Sequence, residues 1–374
     1  MSDSVVLVTV EDIARAYDFG LSHPLRPERV LLTYENIRTM DLLIRPNVSE
    51  WVSRSASDDE ITAVHDENFV ATVKAIDAGV LEERAGLPYG LGTPDDPIFD
   101  GMHDASAAVC GASIVAAEAV ASGAAEHSFN PAGGLHHARR AEASGFCIYN
   151  DPAVAIAKVL DLQPDWNVMY VDVDVHHGDG VQWIFYEDPR VLTVSLHQTG
   201  RYLYPGTGFE DEIGDGDAAG TAANIPLLPF TGEGDYLWAL EAVITALAEA
   251  FEPQLLFTQL GADTHHGDPL ANLGLTMTAY PRMARILHEA AHRFAGGRWI
   301  ATGGGGYQPN TVVPRVWTIH WAEMIGSPEA IPADWLNDSS PDEASRSYLA
   351  EVEHSVREVL DRCVPRLRAL AARR

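Results

Sequence analysis

Asn167-Val168-Met169-Tyr170-Val171-Asp172-Val173-Asp174-Val175 is a run of apolar and β-branched residues interrupted only by two aspartates near its end. Such near-continuous apolar character predicts a strand covered on both faces, the habit of strands inside a parallel sheet. Residues 152–162, just upstream, read as a helix, and comparable apolar runs occur at residues 191–196, 255–260 and 299–301. Ala-rich helical stretches near residues 105–122 and 236–251 alternate with them. The alternation predicts an α/β fold with a central, mostly parallel β-sheet flanked by helices. No internal repeat or low-complexity linker divides the chain, so residues 1–374 are read as a single domain. Two long irregular stretches, residues 86–99 and 197–221, are rich in Gly, Pro and Asp, and segments of that length in a compact domain usually carry function.

Composition narrows the function. With 46% hydrophobic and 21% charged residues, the chain is neither disordered nor collagenous. Its 25 Lys and Arg stand against 54 Asp and Glu, a net charge of −29, which opposes any approach to nucleic acid through phosphate neutralisation. Cys110, Cys147 and Cys363 are too few and too scattered for a disulfide framework or a cysteine zinc site. The first ten residues lack a basic segment followed by an apolar one, and no uninterrupted apolar run reaches the roughly 18 residues of a membrane span. A cytoplasmic protein with no membrane partner is expected.

The opening run also carries the chemistry. Asp172, Asp174 and His176 alternate, so in a strand all three project from one face. Two carboxylates and an imidazole among apolar residues are costly to bury without compensation, which either a divalent cation or a hydrogen-bonded Asp–His network would supply. A second apolar run ends in Gly261-Ala262-Asp263, delivering another carboxylate to the same sheet edge. Asp174, His176 and Asp263 would be three protein ligands that leave a position open for water and substrate. Two carboxylates neutralise a divalent ion, so a separate base and electrophile become necessary. His136 and His137, after a short strand-like run at residues 128–131, are base candidates, with Asp172 and Asp179 placed to accept an imidazole N–H and fix its tautomer. Tyr307 follows Gly303, Gly304, Gly305 and Gly306 after the run at residues 299–301, and its hydroxyl could stabilise an oxyanion. The glycine run lacks both the Lys-Ser/Thr of a P-loop and dinucleotide-site spacing.

These motifs, with Ala143-Ser144-Gly145-Phe146-Cys147-Ile148-Tyr149-Asn150-Asp151 and Tyr204-Pro205-Gly206-Thr207-Gly208, resemble the histone deacetylase superfamily of zinc-dependent amidohydrolases. Within it the chain is most similar to the bacterial acetoin-utilisation deacetylases, near the class I enzymes, from Asp18-Phe19-Gly20 and His23-Pro24 through Trp317. The resemblance implies the arginase/deacetylase fold and hydrolysis of an N-acetyl amide to acetate and a free amine. It implies Zn2+, or Fe2+, on Asp174, His176 and Asp263, with His137 as general base, His136 as its electrostatic partner, and Tyr307 polarising the acetyl carbonyl. Phe146 and Tyr204 would wall a tunnel around an acyl-lysine stem, with Gly145 and Gly305 beside the substrate. It further implies K+ at backbone oxygens of Asp172, Asp174, His176, Ser195 and Leu196, a second K+ at Phe185, Asp188 and Val191, and an internal-channel role for Arg29.

Two departures bear on specificity. Tyr204 stands where class I enzymes commonly carry phenylalanine, adding a hydroxyl at the tunnel mouth. His265 stands where related ureohydrolases carry a further aspartate, which favours one metal over two. Cys147 reads as a buried structural thiol rather than a nucleophile. Acetyl-lysine in a protein and a small acetylated amine such as an acetylpolyamine both fit as substrate, and Asp95 and Asp96 in the 86–99 stretch would narrow the mouth or clamp substrate amides. Small-amine members of the family usually dimerise, so oligomerisation stays open. A catalytically silent reader of acetylated amines is disfavoured by the presence of both His137 and Tyr307.

Overall fold

The computed structural model describes residues 3–338 and 345–373. Its eight strands are β1 (Val5–Thr9), β2 (Val48–Val52), β3 (His127–Asn130), β4 (Val168–Asp172), β5 (Val191–Gln198), β6 (Ala222–Leu227), β7 (Leu255–Gln259) and β8 (Trp299–Thr302). They form one sheet in the order β2-β1-β3-β8-β7-β4-β5-β6, and each neighbouring pair is parallel. The opening run therefore lies inside the sheet, between β7 and β5, as its apolar character requires.

Side chains alternate across β4. Met169 and Val171 enter one apolar layer, Val168 and Tyr170 the other. The first layer is closed by the helices Glu28–Thr39, Glu233–Phe251, Ala279–Ala295, Val312–Met324 and Leu349–Ala371, the second by Glu67–Asp77, Met102–Ala121 and Asp151–Leu162. Met102–Ala121 is long and apolar enough to cross a membrane, yet it is mostly buried inside the second layer. The apolar-run reading missed β1, β2 and β6. β2, V-S-E-W-V, is half-exposed at the sheet edge and so has no apolar continuity to announce it.

The register places the functional edge. Asn130 pairs with Thr302, Thr302 with Gln259, Gln259 with Asp172 and Asp172 with Ser195. These five residues form a row near the carboxyl ends of β3, β8, β7, β4 and β5. The loops beyond that row carry the residues singled out from the sequence, where ligands of open parallel sheets bind.

Candidate active site

The strand expected over residues 167–175 stops at Asp172. Asp172 Oδ1 accepts the N–H of Asp174 at 3.1 Å, and Asp174 Oδ1 accepts the N–H of His176 at 3.0 Å. Side-chain carboxylates thus take over backbone donors that a ladder would have used, and the strand ends there. Asp174 and His176 consequently belong to the loop after β4, where they meet Asp263 from the loop after β7. Asp263 Oδ1 accepts the N–H of Val175 at 2.9 Å.

His176 Nδ1 lies 3.1 Å from Asp174 Oδ1 and 3.3 Å from Asp263 Oδ2, and one ligand atom from each residue falls within a 4.8 Å cluster. Asp174 Oδ2 is already held by Gln259 Nε2 and the N–H of Gly305, both at 2.7 Å. Asp263 Oδ2 is buried and, beyond the His176 ring 3.3 Å away, has no donor in hydrogen-bonding geometry. An orphaned carboxylate oxygen beside a second carboxylate and an imidazole fits a divalent cation of the Zn2+ or Fe2+ kind. Burial, reinforced by Asp174, pushes the Asp263 carboxyl up to about 7. Burial works against a charge on His176, but its bonds to Asp174 and Asp263 prevail and raise it to about 10. A cation in this cradle reverses both directions, keeping the carboxylates ionised and the imidazole neutral. Gly305 is needed here, since a Cβ would stand 2.0 Å from Asp263 Oδ2.

The tandem histidines follow β3 on a turn that Asp151 fixes by accepting the N–H groups of Gly134 and Leu135 at 3.0 and 2.8 Å. His136 Nδ1 meets Asp172 Oδ2 at 2.7 Å, and His137 Nδ1 meets Asp179 Oδ1 at 2.7 Å. With each Nδ1–H donating to its aspartate, the two Nε2 atoms face each other at 3.0 Å, a contact that one proton satisfies and two do not. The environment decides which ring holds it. Burial opposes charge on His136, but Asp172 and Asp174 outweigh it and raise the imidazole to about 9. Burial and the neighbouring His136 push His137 down to about 3. His137 is the neutral ring.

Four rings surround the cradle. Tyr204 stands edge-on to His137 with centroids 5.0 Å apart, Phe146 edge-on to Tyr307 at 5.8 Å, and Tyr307 lies 6.4 Å from His176. Phe146 adopts a left-handed backbone, φ 72°, right after Gly145 at φ 54°. A Cβ at Gly145 would sit 2.5 Å from the His137 ring and 2.9 Å from Tyr204. Tyr17 pins this turn, its hydroxyl donating to the Phe146 carbonyl at 2.9 Å and accepting from the Ile148 N–H at 3.0 Å. Non-glycine residues in this backbone region cluster at functional sites. Tyr204 is exposed at the rim with its hydroxyl bonded to Ser144. The Tyr307 hydroxyl is held well above its ordinary value by burial and by Asp263 and Asp174, so it stays a donor.

Other expectations sort as follows. Of the two loop carboxylates, Asp95 is exposed while Asp96 is buried, pushed up to about 8 by burial and by Asp95. Only Asp95 is open to solvent, whereas Asp96, expected at the mouth, lies behind the 145–147 turn, whose Phe146 and Cys147 N–H groups face it. Part of the 86–99 stretch is regular, since Glu83–Tyr89 is a 3-10 helix. Arg29 donates to the carbonyls of Gly304 and Gly306 at 2.8 and 3.2 Å and so shapes the turn before Tyr307. The His265 ring turns to Asp338, 2.6 Å away. Cys147 is buried with its thiol raised well above the ordinary value by burial, as an inert thiol should be. Of the residues expected around K+, Ser195 pairs with Asp172 and Leu196 follows it, while the carbonyls of Phe185 and Asp188 accept the N–H groups of Asp188 and Val191 at 3.0 and 3.2 Å.

Three supporting residues escaped the sequence reading. Gln259 holds Asp174, Tyr170 donates to Asp172 Oδ2 at 2.7 Å, and Asp268 Oδ2 accepts the N–H of Tyr307 at 2.8 Å. Tyr170 was within reach, because it sits two residues before Asp172 on the same strand face.

Acidic and imidazole groups gathered beyond one edge of a parallel sheet, beside a tyrosine, are what a hydrolase of the α/β class uses, and three of them could hold a metal ion. Residues 23–324 match the histone deacetylase domain, and the chain belongs to that family and is a deacetylase, a hydrolase of acetyl amide bonds. It is 44% identical over 338 residues to the acetoin utilization protein AcuC of Bacillus subtilis (strain 168), covering 90% of this chain and 86% of the relative. It is 34% identical over 324 residues to AcuC of Staphylococcus aureus (strain MRSA252), covering 86% and 82%. A solved HDAC homolog from Aquifex aeolicus superimposes with a TM-score of 0.82 at 30% identity, over 96% of this chain and 100% of that one. An HDAC homolog complexed with SAHA superimposes equally well, with a TM-score of 0.82.

Proposed function

We propose that this chain is a zinc-dependent deacetylase that releases acetate from N-acetyl-lysine in proteins. The observation that carries the reading is the pairing of His137, anchored by Asp179, with His136, anchored by Asp172, beside the Asp174–His176–Asp263 cradle. Zn2+, or Fe2+, would be held by Asp174, His176 and Asp263, and when bound it supplies Lewis acidity to the acetyl carbonyl and acidifies water. A structural K+ on the backbone oxygens of Asp172, Asp174, His176, Ser195 and Leu196 belongs to the same reading.

The alkyl stem lies between Phe146 and Tyr204, which bury it and aim the acetyl group at the cradle. His137 Nε2 takes a proton as water adds to the acetyl carbon, which requires its 3.0 Å contact with His136 Nε2 to open. The Tyr307 O–H donates to the carbonyl oxygen and binds it more tightly as negative charge develops there. The positive His136 stabilises the same charge and favours return of the proton to the departing nitrogen. The C–N bond breaks, and acetate and a free amine leave. Asp95 at the rim suits the backbone N–H groups of a peptide substrate, which a diamine lacks.

The test compares acetate release by zinc-loaded protein from an acetyl-lysine peptide and from an N-acetylated diamine, ranked by kcat/KM. The reading expects the peptide to be preferred. Preference for the diamine would overturn the substrate assignment and leave a small-amine amidohydrolase.

A further inference from the structure

A second cluster of ligating side chains lies at the other end of the sheet. His127 opens β3, whereas His136 and His137 follow the end of the same strand. Asp3 precedes β1, which pairs with β3. The helix Ala279–Ala295 contributes His288 and His292, four residues apart and therefore on one face. Topology alone brings the four together.

Their atoms converge on one point. His288 Nε2 lies 3.2 Å from His127 Nε2 and 3.1 Å from His292 Nε2. Asp3 Oδ2 lies 3.4, 3.5 and 3.2 Å from the Nε2 atoms of His127, His288 and His292. Tetrahedral zinc with bonds of about 2.0–2.1 Å sets its ligand atoms roughly 3.3–3.4 Å apart, and the five separations straddle that value. Hydrogen bonding does not account for the arrangement. His288 Nε2 has either one proton or one lone pair, yet it faces two other ring nitrogens and a carboxylate oxygen at once. A cation satisfies all four atoms together.

The surroundings suit a ligand set. Glu323 Oε1 stands 3.5 Å behind His288 Nδ1, where a carboxylate would orient a ligating imidazole. Trp299 packs against both His127 and His288. His127 is fully buried, while the His292 side chain is 43% exposed and gives access from solvent. We propose that Asp3, His127, His288 and His292 form a structural Zn2+ site, separate from the catalytic cradle, that ties the segment before β1 to β3 and the helix Ala279–Ala295. Four protein ligands fill the tetrahedron and leave no position for substrate, so the site is structural. It does not depend on the deacetylase reading.

The experiment counts zinc in tag-free protein that has been stripped, reloaded with Zn2+ and dialysed. Wild type should hold two equivalents. His292→Ala, at an exposed position, should hold one and keep its peptide kcat/KM within about twofold. Asp263→Ala should also hold one, and after Co2+ loading should show the visible absorption of a tetrahedral site, which the double variant with His292→Ala loses. Asp3→Asn repeats the comparison at a position before the first strand. A single equivalent in wild type, abolished by Asp263→Ala, would overturn the proposal. So would two equivalents retained in both His292→Ala and Asp3→Asn.

Discussion

The Nε2 atoms of His136 and His137 face each other at 3.0 Å while each ring is anchored through Nδ1 to its own aspartate. Two adjacent residues of one type are thereby driven in opposite directions: Asp172 and Asp174 raise His136 against its burial, while burial and the neighbouring His136 lower His137. Acid–base chemistry needs such a split.

His137→Ala removes the neutral ring. Turnover should fall by about 10²–10⁴-fold, the usual contribution of general acid–base catalysis, with bound zinc unchanged. Steady-state acetate release beside a metal count checks this. A loss smaller than that of His136→Ala would show that the base is the other ring.

Tyr307→Phe deletes one hydroxyl and leaves the Tyr307 N–H on Asp268 in place. Loss of an oxyanion donor should lower kcat by about 10²–10³-fold, or roughly 3–4 kcal/mol, with KM and zinc content nearly constant. Normal turnover would remove Tyr307 from the chemistry.

Phe146→Ala tests the tunnel. Losing one aromatic wall should raise KM for an acetyl-lysine peptide by roughly tenfold, the equivalent of about 1.4 kcal/mol of stem burial. An unchanged KM would mean that Phe146 packs the turn without touching substrate.

Stability should fall on acidification, for reasons remote from the cradle. His65 Nδ1 faces the Arg139 carbonyl at 2.9 Å and its Nε2 accepts the Asn150 N–H at 2.9 Å, so the folded ring is neutral. Burial pushes it down to about 4 and pushes His320, whose ring nitrogens have no hydrogen-bond partner among the described residues, down to about 3. Both lie below the ordinary 6.5, so the unfolded chain binds more protons and stability drops as pH falls from about 6.5 towards 4, by about 3 kcal/mol from His65 alone. Urea midpoints at pH 7.5 and 5.0 measure the slope. His320→Leu should flatten it, and a slope equal to that of wild type would contradict this account.

The sheet was legible because β4, β7 and β8 are buried on both faces and so read as unbroken apolar runs. The cradle was legible because its carboxylates interrupt those runs at their ends. The end of β4 was misplaced by three residues, since the bonds that terminate it run from Asp172 and Asp174 carboxylates, and alternation alone does not distinguish a strand from a chain of such turns. The burial of Asp96 could not be foreseen, because it depends on the 145–147 turn packing over the 86–99 stretch, a contact between segments distant in sequence. Gln259 and Asp268 were missed because their partners, Asp174 and Tyr307, are distant in sequence and meet only through strand order.

The most direct test is acetate release from an N-acetyl-lysine peptide by zinc-reloaded wild type and zinc-reloaded Asp263→Ala side by side. The account predicts one free amine per acetate from wild type and background release from the variant, which has lost one of the three cradle ligands. Equal release from both proteins would contradict it.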